Sequence, residues 1–177
     1  QAYSYSMAPS FVLSSDSGTK KVYFKVKNDF DQSAIVSDTI SALAPVVTWF
    51  KINNGEPSTK NGVVTLNIMT MNGPTHYKAS EDPNFGDASW QPYYSVAPKF
   101  TLSYGGGIKK VYFKVKNFFS ESSASVNDDI QALVPAVTSL KINAGASGTP
   151  NGKVTLNNVA TNSPTHYMAS EKSDFSD

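Results

Sequence analysis

The chain has two histidines, His76 and His166, and imidazole is the side chain best suited to proton transfer and zinc ligation near neutral pH. Both follow Pro-Thr and precede Tyr. A zinc ion needs three or four converging ligands, and the chain has no cysteine to join an isolated histidine. Strand alternation places His76 on the face opposite Tyr77, at the surface or at a strand end. We therefore expect these histidines to bind no metal.

Adjacent carboxylates at Glu81 and Asp82 are the next candidates, because glycosidases use a pair of acids. They lie on a predicted turn before Pro83, and Lys172 replaces Asp82 in the repeat described below. The many serines lack a Gly-x-Ser-x-Gly elbow, and no serine, histidine and acid stand apart from the repeated pattern. We expect no catalytic residue and interpret the protein as not an enzyme.

Acidic and amide side chains provide the oxygen ligands that calcium prefers. The candidates, placed at a junction between modules, are Asp38, Asp128 and Asp129 with Asn53, Asn54 and Asn143. Asn and Asp are also ordinary turn residues, since they tolerate left-handed backbone angles and bond to their own main chain. The ligand spacing of an EF-hand is missing from the sequence. We expect no cofactor, with calcium as the alternative.

Aromatic side chains suggest a flat platform on which sugar rings stack. The candidates are Trp49, Trp90, Tyr93 and Tyr94, with Tyr3 and Tyr5. Ser139 replaces Trp49 in the repeat, so the core does not require Trp49. It is therefore the better candidate for a surface contact, either with another module or with a glycan. Trp90 lies two residues before Pro92. Its side chain could either fill the end of a sandwich core or belong to the sugar-stacking platform.

These residues belong to a sequence repeat. The nine residues Lys20–Asn28 return unchanged at Lys109–Asn117, and Pro74–Tyr77 returns as Pro164–Tyr167. The period of about ninety residues indicates arrayed domains rather than a single enzyme body. Each repeat must then be a self-sufficient packed unit or borrow from its neighbour.

The repeat reads as short β-strands, since apolar and polar residues alternate in Val22–Lys27 and helical spacing is nearly absent. Clusters of Gly, Asn, Pro and Asp separate the runs. The other predicted strands are 47–52, 63–69, 75–79, 90–94, 100–103 and 123–130. This pattern predicts an all-β fold of tandem immunoglobulin-like antiparallel β-sandwiches.

The repeat is cut at an unusual place. It predicts a complete central module at residues 44–133, preceded by a leading segment, 1–43, and followed by a trailing segment, 134–177. The leading segment matches the C-terminal half of a module, with four expected strands, and the trailing segment matches the N-terminal half, with three. The halves are complementary, lacking only a counterpart of Ala88–Trp90. With seven strands a module has its chain ends at opposite poles, roughly 35 to 40 Å apart, so one chain does not easily close its own split module.

Composition narrows the classes of function. The formal charge of +1 gives no support for binding nucleic acid or an anionic membrane. The sequence has no apolar run of the roughly eighteen residues that a membrane span needs. A chain without cysteine holds its sandwich by the core alone. The abundance of Ser, Thr, Asn, Gly and Tyr is typical of a secreted or cell-surface protein, so we expect an extracellular location and no membrane insertion.

The stretches Asp16–Asn28 and Tyr77–Phe85, the latter followed by Trp90 and Tyr93, resemble bacterial extracellular immunoglobulin-like and fibronectin type III-like tandem repeats. The resemblance spans the chain and specifies fold better than activity. It implies a stalk, a spacer, an adhesive unit or an accessory module of a polysaccharide-degrading enzyme. Gly105–Gly107 replaces Asp16–Gly18 in the second copy, which weakens a calcium-binding role for that aspartate in every repeat.

We therefore expect a non-catalytic extracellular structural protein that forms a rod or a filament. In one form the trailing segment of one chain pairs with the leading segment of the next, giving a head-to-tail homopolymer by strand complementation. In the other form the chain is a window on a longer array, and the partners are neighbouring repeats of the same chain. The alternative function is a carbohydrate-binding or adhesive module, with glycans as partners.

Overall fold

The computed structural model describes residues 4–94, 97–122 and 124–176. Within these ranges the regular elements are β-strands and two one-turn 3-10 helices, Asn53–Gly55 and Asn143–Gly145, so the prediction of an all-β fold is confirmed. The strands are β1 Gly18–Phe24, β2 Val36–Ala42, β3 Val46–Ile52, β4 Ser58–Thr59, β5 Val63–Met71, β6 His76–Ser80, β7 Gln91–Pro92, β8 Lys99–Thr101, β9 Gly107–Lys116, β10 Val126–Ala132, β11 Ala136–Ile142 and β12 Leu156–Thr161. The described residues include no helix long and apolar enough to cross a membrane.

Strands β3 to β10 form two facing sheets. One has the order β3-β5-β8, and the other has the order β4-β10-β9-β6-β7. Neighbours pair antiparallel except β4 and β10, which pair parallel. Alternation on β9 is typical of a sandwich strand, because Val111, Phe113 and Val115 are buried while Tyr112 and Lys114 between them lie on the other face.

The hydrophobic core lies between these two sheets. Phe113 stands at its centre, stacked on Phe50 with ring centroids 5.3 Å apart and on Tyr77 at 5.4 Å. Burial raises the pKa of the Tyr77 hydroxyl. The nine clustered core residues are Phe50, Ile52, Val64, Leu66, Leu102, Val111, Phe113, Val115 and Ile130. Four come from the first half of the central module and five from the second, so neither half has a core without the other.

The chain enters and leaves the sandwich at opposite poles. On entry, the Leu43 carbonyl accepts a hydrogen bond of 2.9 Å from Asn117 Nδ2, beside the turn that precedes β10. On exit, the Leu133 amide donates to the Thr59 carbonyl at 2.9 Å, beyond the far end of β10. These two hydrogen bonds are separated by about ten residues of extended chain, which corresponds to roughly 30 Å. The leading and trailing segments are therefore joined to opposite poles.

Each terminal segment contains one antiparallel hairpin in the described residues, β1–β2 in the leading segment and β11–β12 in the trailing segment. The sequence predicts four strands in the former and three in the latter. The described residues that match β4, β6 and β8, at 148–149, 166–170 and 10–12, form no strand. The physical reason is pairing, because in the central module β4, β6 and β8 bond to strands of the other half.

Two other predictions about strands differ from the structure. The short strand β4 was not predicted, and the expected strand at 90–94 is only the two-residue β7. Edge strands of two residues have too few alternating positions for a period to be visible in the sequence. Their existence depends on the neighbour to which they bond, β10 for β4 and β6 for β7.

Candidate functional site

Each histidine is hydrogen-bonded to the threonine that precedes it. His76 begins β6, where its Nδ1 lies 2.9 Å from Thr75 Oγ1, and His166 has the same arrangement with Thr165 at 2.9 Å. Across the described ranges, no group of three or more His, Asp or Glu side chains converges in a geometry suited to a metal ion. The position of His76 at a strand end agrees with the alternation pattern.

Both carboxylates of the Glu81–Asp82 pair are bonded to backbone amides. Asp82 accepts from the amides of Asn84 and Gly86, each at 2.9 Å, and Glu81 accepts from Ser103 at 3.1 Å. The bonds from Asn84 and Gly86 lower the pKa of Asp82, because they stabilise its charged form. The carboxylate oxygens of the pair are therefore hydrogen-bond acceptors that stabilise the loop.

The aspartates proposed for calcium point to different partners. Asp128 binds Lys51 Nζ at 2.8 Å and accepts the Ile52 amide at 2.9 Å. Its neighbour Asp129 points to the other face of β10, 3.6 Å from Lys110 Nζ. The Asp128 carboxylate thus joins β10 to β3, across the two halves of the central module.

The asparagines of the same proposal stabilise turns. Asn53 Oδ1 accepts the Thr65 amide at 2.8 Å, and Asn143 Oδ1 accepts the Thr155 amide at 2.8 Å. Asn53 and Asn143 have φ of 46° and 45°, in the left-handed region that Asn tolerates. Their repetition follows from the repeated turn.

The aromatic candidates lie on different sheets. Trp49 is 40% exposed on β3, an edge strand of the three-stranded sheet, beside the exposed Met69 of β5. Trp90, Tyr93 and Tyr94 lie around β7, one of the two edge strands of the five-stranded sheet. Tyr5 is exposed on the leading segment, and Tyr3 lies outside the described residues. The structure therefore does not bring Trp49 into one platform with the other candidates.

Trp90 has a cluster of ammonium groups around its ring. Lys116, Lys78 and Lys114 place Nζ at 4.7, 5.1 and 5.7 Å from the ring centroid. These distances suit cation–π attraction. Trp90 is half-buried and lies outside the clustered core, so its contacts are with the outer face of β6 and β9.

The leading segment has an exposed apolar face among the described residues. Phe24 is 46% exposed and Ile40 is 58% exposed, whereas their counterparts Phe113 and Ile130 are 0% and 1% exposed. Every core position in this half has an apolar counterpart: Leu13, Val22, Phe24, Val26 and Ile40 correspond to Leu102, Val111, Phe113, Val115 and Ile130. The hairpin β1–β2 therefore presents half of a core.

The trailing segment presents the other half. Ile142 is 52% exposed, whereas its counterpart Ile52 is 0% exposed. The four core positions of this half are again apolar, since Leu140, Ile142, Val154 and Leu156 correspond to Phe50, Ile52, Val64 and Leu66. The two apolar faces together reproduce all nine core positions. We call them the leading face and the trailing face.

Sequence reasoning missed the bond from Asp128 to Lys51 and the lysines around Trp90. A signal for the first was present, because both residues recur in the repeat as Asp38 and Lys141. Nothing in the strand pattern indicates that three outward lysines converge on one ring, since this depends on the pairing of β6 with β9.

Comparison with models of known protein families gives no match. Comparisons with curated proteins and with solved structures likewise give no significant match.

Proposed function

We propose that this chain is a non-catalytic extracellular structural protein made of tandem immunoglobulin-like sandwiches. In this proposal residues 44–133 are one complete module, and residues 1–43 and 134–177 are halves of modules. A leading and a trailing half complete each other across a subunit boundary, which yields a rod or a head-to-tail filament.

The observation that supports the proposal is the match between buried and exposed positions. Nine core residues of the central module have apolar counterparts on the leading and trailing faces. Full burial of a Val, Leu, Ile or Phe side chain contributes about 1.5–3 kcal/mol. Two exposed apolar faces of complementary sequence are therefore expected to associate.

Backbone pairing supports the same proposal. The described residues that match β4, β6 and β8 form no strand within their own half. Their main-chain donors and acceptors find ladder partners only when the complementary half is present. Completion of a module thus adds hydrogen bonds as well as apolar burial.

The positions of the poles favour an open assembly over a closed one. The leading segment joins the central module at the Leu43 pole, and the trailing segment joins at the Leu133 pole. A contact between two different surfaces at opposite poles is head-to-tail, and such contacts propagate when the rotation does not close a ring. A neighbouring repeat in a longer polypeptide would present the same complementary half.

Electron microscopy and sedimentation of the purified 177-residue chain test the proposal. We expect fibres with an axial repeat of two modules, on the order of 80 Å. Compact monomers at all accessible concentrations contradict the filament. The mass of the natural protein under denaturing conditions separates subunits of this size from a longer array of covalently joined repeats.

A second candidate, glycan binding, is favoured by the exposed Trp49 and by the lysines around Trp90. Indole rings stack on sugar rings, and adjacent ammonium groups suit acidic sugars. The test is a glycan array probed with the chain and with Trp49→Ala and Trp90→Ala variants. Binding that is lost in either variant supports this function, and an array without any binding removes it.

A further inference from the structure

We infer that the partner of the trailing face is the leading face of a second copy of this chain, joined in the backbone register of the central module. This inference rests on the proposed function and specifies its contacts. The central module is the template, because it shows how the same two halves meet within one chain.

The template defines four ladders between the halves. The first pairs β6 with β9, and its opposed residues include Lys78 and Lys114. The others pair β5 with β8, β4 with β10, and β6 with β7. Transferred by the repeat, the first ladder sets residues 166–170 of one copy against residues 23–27 of the next, with Met168 opposite Lys25. A shift of one residue along the ladder would turn the core side chains of one strand toward solvent. The apolar pattern therefore favours this register over the two registers that differ from it by one residue.

A charged contact should lock the same register. In the template Asp128 binds both Lys51 Nζ and the Ile52 amide. The counterparts are Asp38 in the leading segment and Lys141 and Ile142 in the trailing segment. The Asp38 carboxylate is exposed, and its bond in the structure goes to the amide of the next residue. Its contact with Lys141 requires a second copy.

The aromatic stack has counterparts as well. Phe113 stacks between Phe50 and Tyr77 in the template. In the joint, Phe24 of one copy takes the place of Phe113, between Leu140 and Tyr167 of the other. All three side chains are exposed in the single chain, so the joint buries them together.

A disulfide cross-link in the full chain tests the register, since the protein has no cysteine of its own. The variant carries Lys25→Cys and Met168→Cys. Directly opposed residues on antiparallel strands have Cα atoms about 4.5–5.5 Å apart, within the range a disulfide spans. Mild oxidation should give a ladder of covalent multimers on a non-reducing denaturing gel.

The matched control moves one cysteine along the same face of the segment that matches β9. The variant Lys21→Cys with Met168→Cys separates the thiols by four residues, about 13 Å, which a disulfide does not span. It should give no ladder. Each single-cysteine variant should give dimers at most.

The possible outcomes test the backbone register separately from the formation of the polymer. A ladder from the variant Lys25→Cys with Met168→Cys, and not from its control, supports the inference. Polymers in sedimentation without that ladder, or with an equal ladder in the control, overturn the register and leave strand complementation standing. Chains that remain monomeric in sedimentation overturn the second copy as partner together with the filament.

A pair of isosteric variants tests the charged contact. Asp38→Asn should raise the chain concentration needed for polymerisation about tenfold or more, because a carboxylate bond is lost at the joint. Asp128→Asn removes the equivalent contact inside the central module. It should lower the thermal stability of that module and leave polymerisation of the folded chain unchanged. Equal effects of both variants on polymerisation would overturn the assignment of Asp38 to the joint.

Discussion

Phe113 and Phe24 occupy equivalent positions of the repeat in different surroundings, so replacing each by alanine separates folding from assembly. Phe113 is fully buried and stacked between two aromatic rings, whereas Phe24 is partly exposed on the leading face. We expect Phe113→Ala to destabilise the central module strongly. We expect Phe24→Ala to leave that module intact and to weaken polymerisation.

The expected magnitudes follow from burial. A Phe→Ala change in a packed core costs about 3–5 kcal/mol, from a total that for single domains is about 5–15 kcal/mol. A change outside the packed region of the central module costs less than about 0.5 kcal/mol. With a urea dependence of about 1–3 kcal/mol per molar, Phe113→Ala should lower the unfolding midpoint by about 2 M.

Tryptophan fluorescence provides the assay, because Trp49 and Trp90, the two tryptophans of the chain, both lie in the central module. Urea unfolding at high dilution reports on that module while polymers are dissociated. Sedimentation of the same variants at high concentration reports on assembly.

Two results would contradict the separation of folding from assembly. An equal drop in the unfolding midpoint for both variants would mean that the leading segment belongs to the cooperative unit of the central module. Normal polymerisation of Phe24→Ala would mean that the leading face is not buried in the joint.

Three further predictions concern single sites. A Cβ on Gly106 would lie 2.5 Å from Val134 Cγ1, so Gly106→Ser should destabilise the central module. The repeat has Ser17 and Ala44 at the equivalent positions, so adding Val134→Ala to this variant should restore most of the melting temperature. A double variant without recovery contradicts this packing. Ala144 has φ of 55°, so Ala144→Asn should stabilise the β11–β12 hairpin by about 1 kcal/mol, seen as slower amide exchange. Hydrogen bonds from backbone amides lower the pKa of Asp82, so its contribution to stability is present above the unfolded pKa near 3.9 and is lost as the pH falls through the lower folded pKa. Urea titrations of Asp82→Asn at several pH values should therefore show a smaller loss of stability in acid than the unchanged chain. The same pH profile for both proteins contradicts this prediction.

The all-β class was predictable because alternation along a strand is a local property. Val111, Phe113 and Val115 alternate with Tyr112 and Lys114, and the structure buries the three apolar residues. Short edge strands were not predictable, since β4 and β7 exist through their neighbours. Among the candidate residues, the positions of His76 and Asp82 at a strand end and on a loop agree with the pattern.

The repeat marks Asp128 and Lys51 as recurring residues, but it does not show that the two side chains bind each other. Asp128 was a candidate calcium ligand in the sequence, and in the structure it binds Lys51 across the sandwich. Trp90 was a candidate for a plug or a platform, and it lies under lysines from β6 and β9. Such partners are set by sheet pairing between residues far apart in the chain.

Residue type and spacing are enough to establish the repeat, the all-β character and the apolar identity of every core position. Which of those positions are buried depends on the tertiary structure. Burial needs two halves in contact, and among the described residues only the central module has both of its halves. The same apolar residues are therefore enclosed at Phe113 and Ile52 and exposed at Phe24 and Ile142.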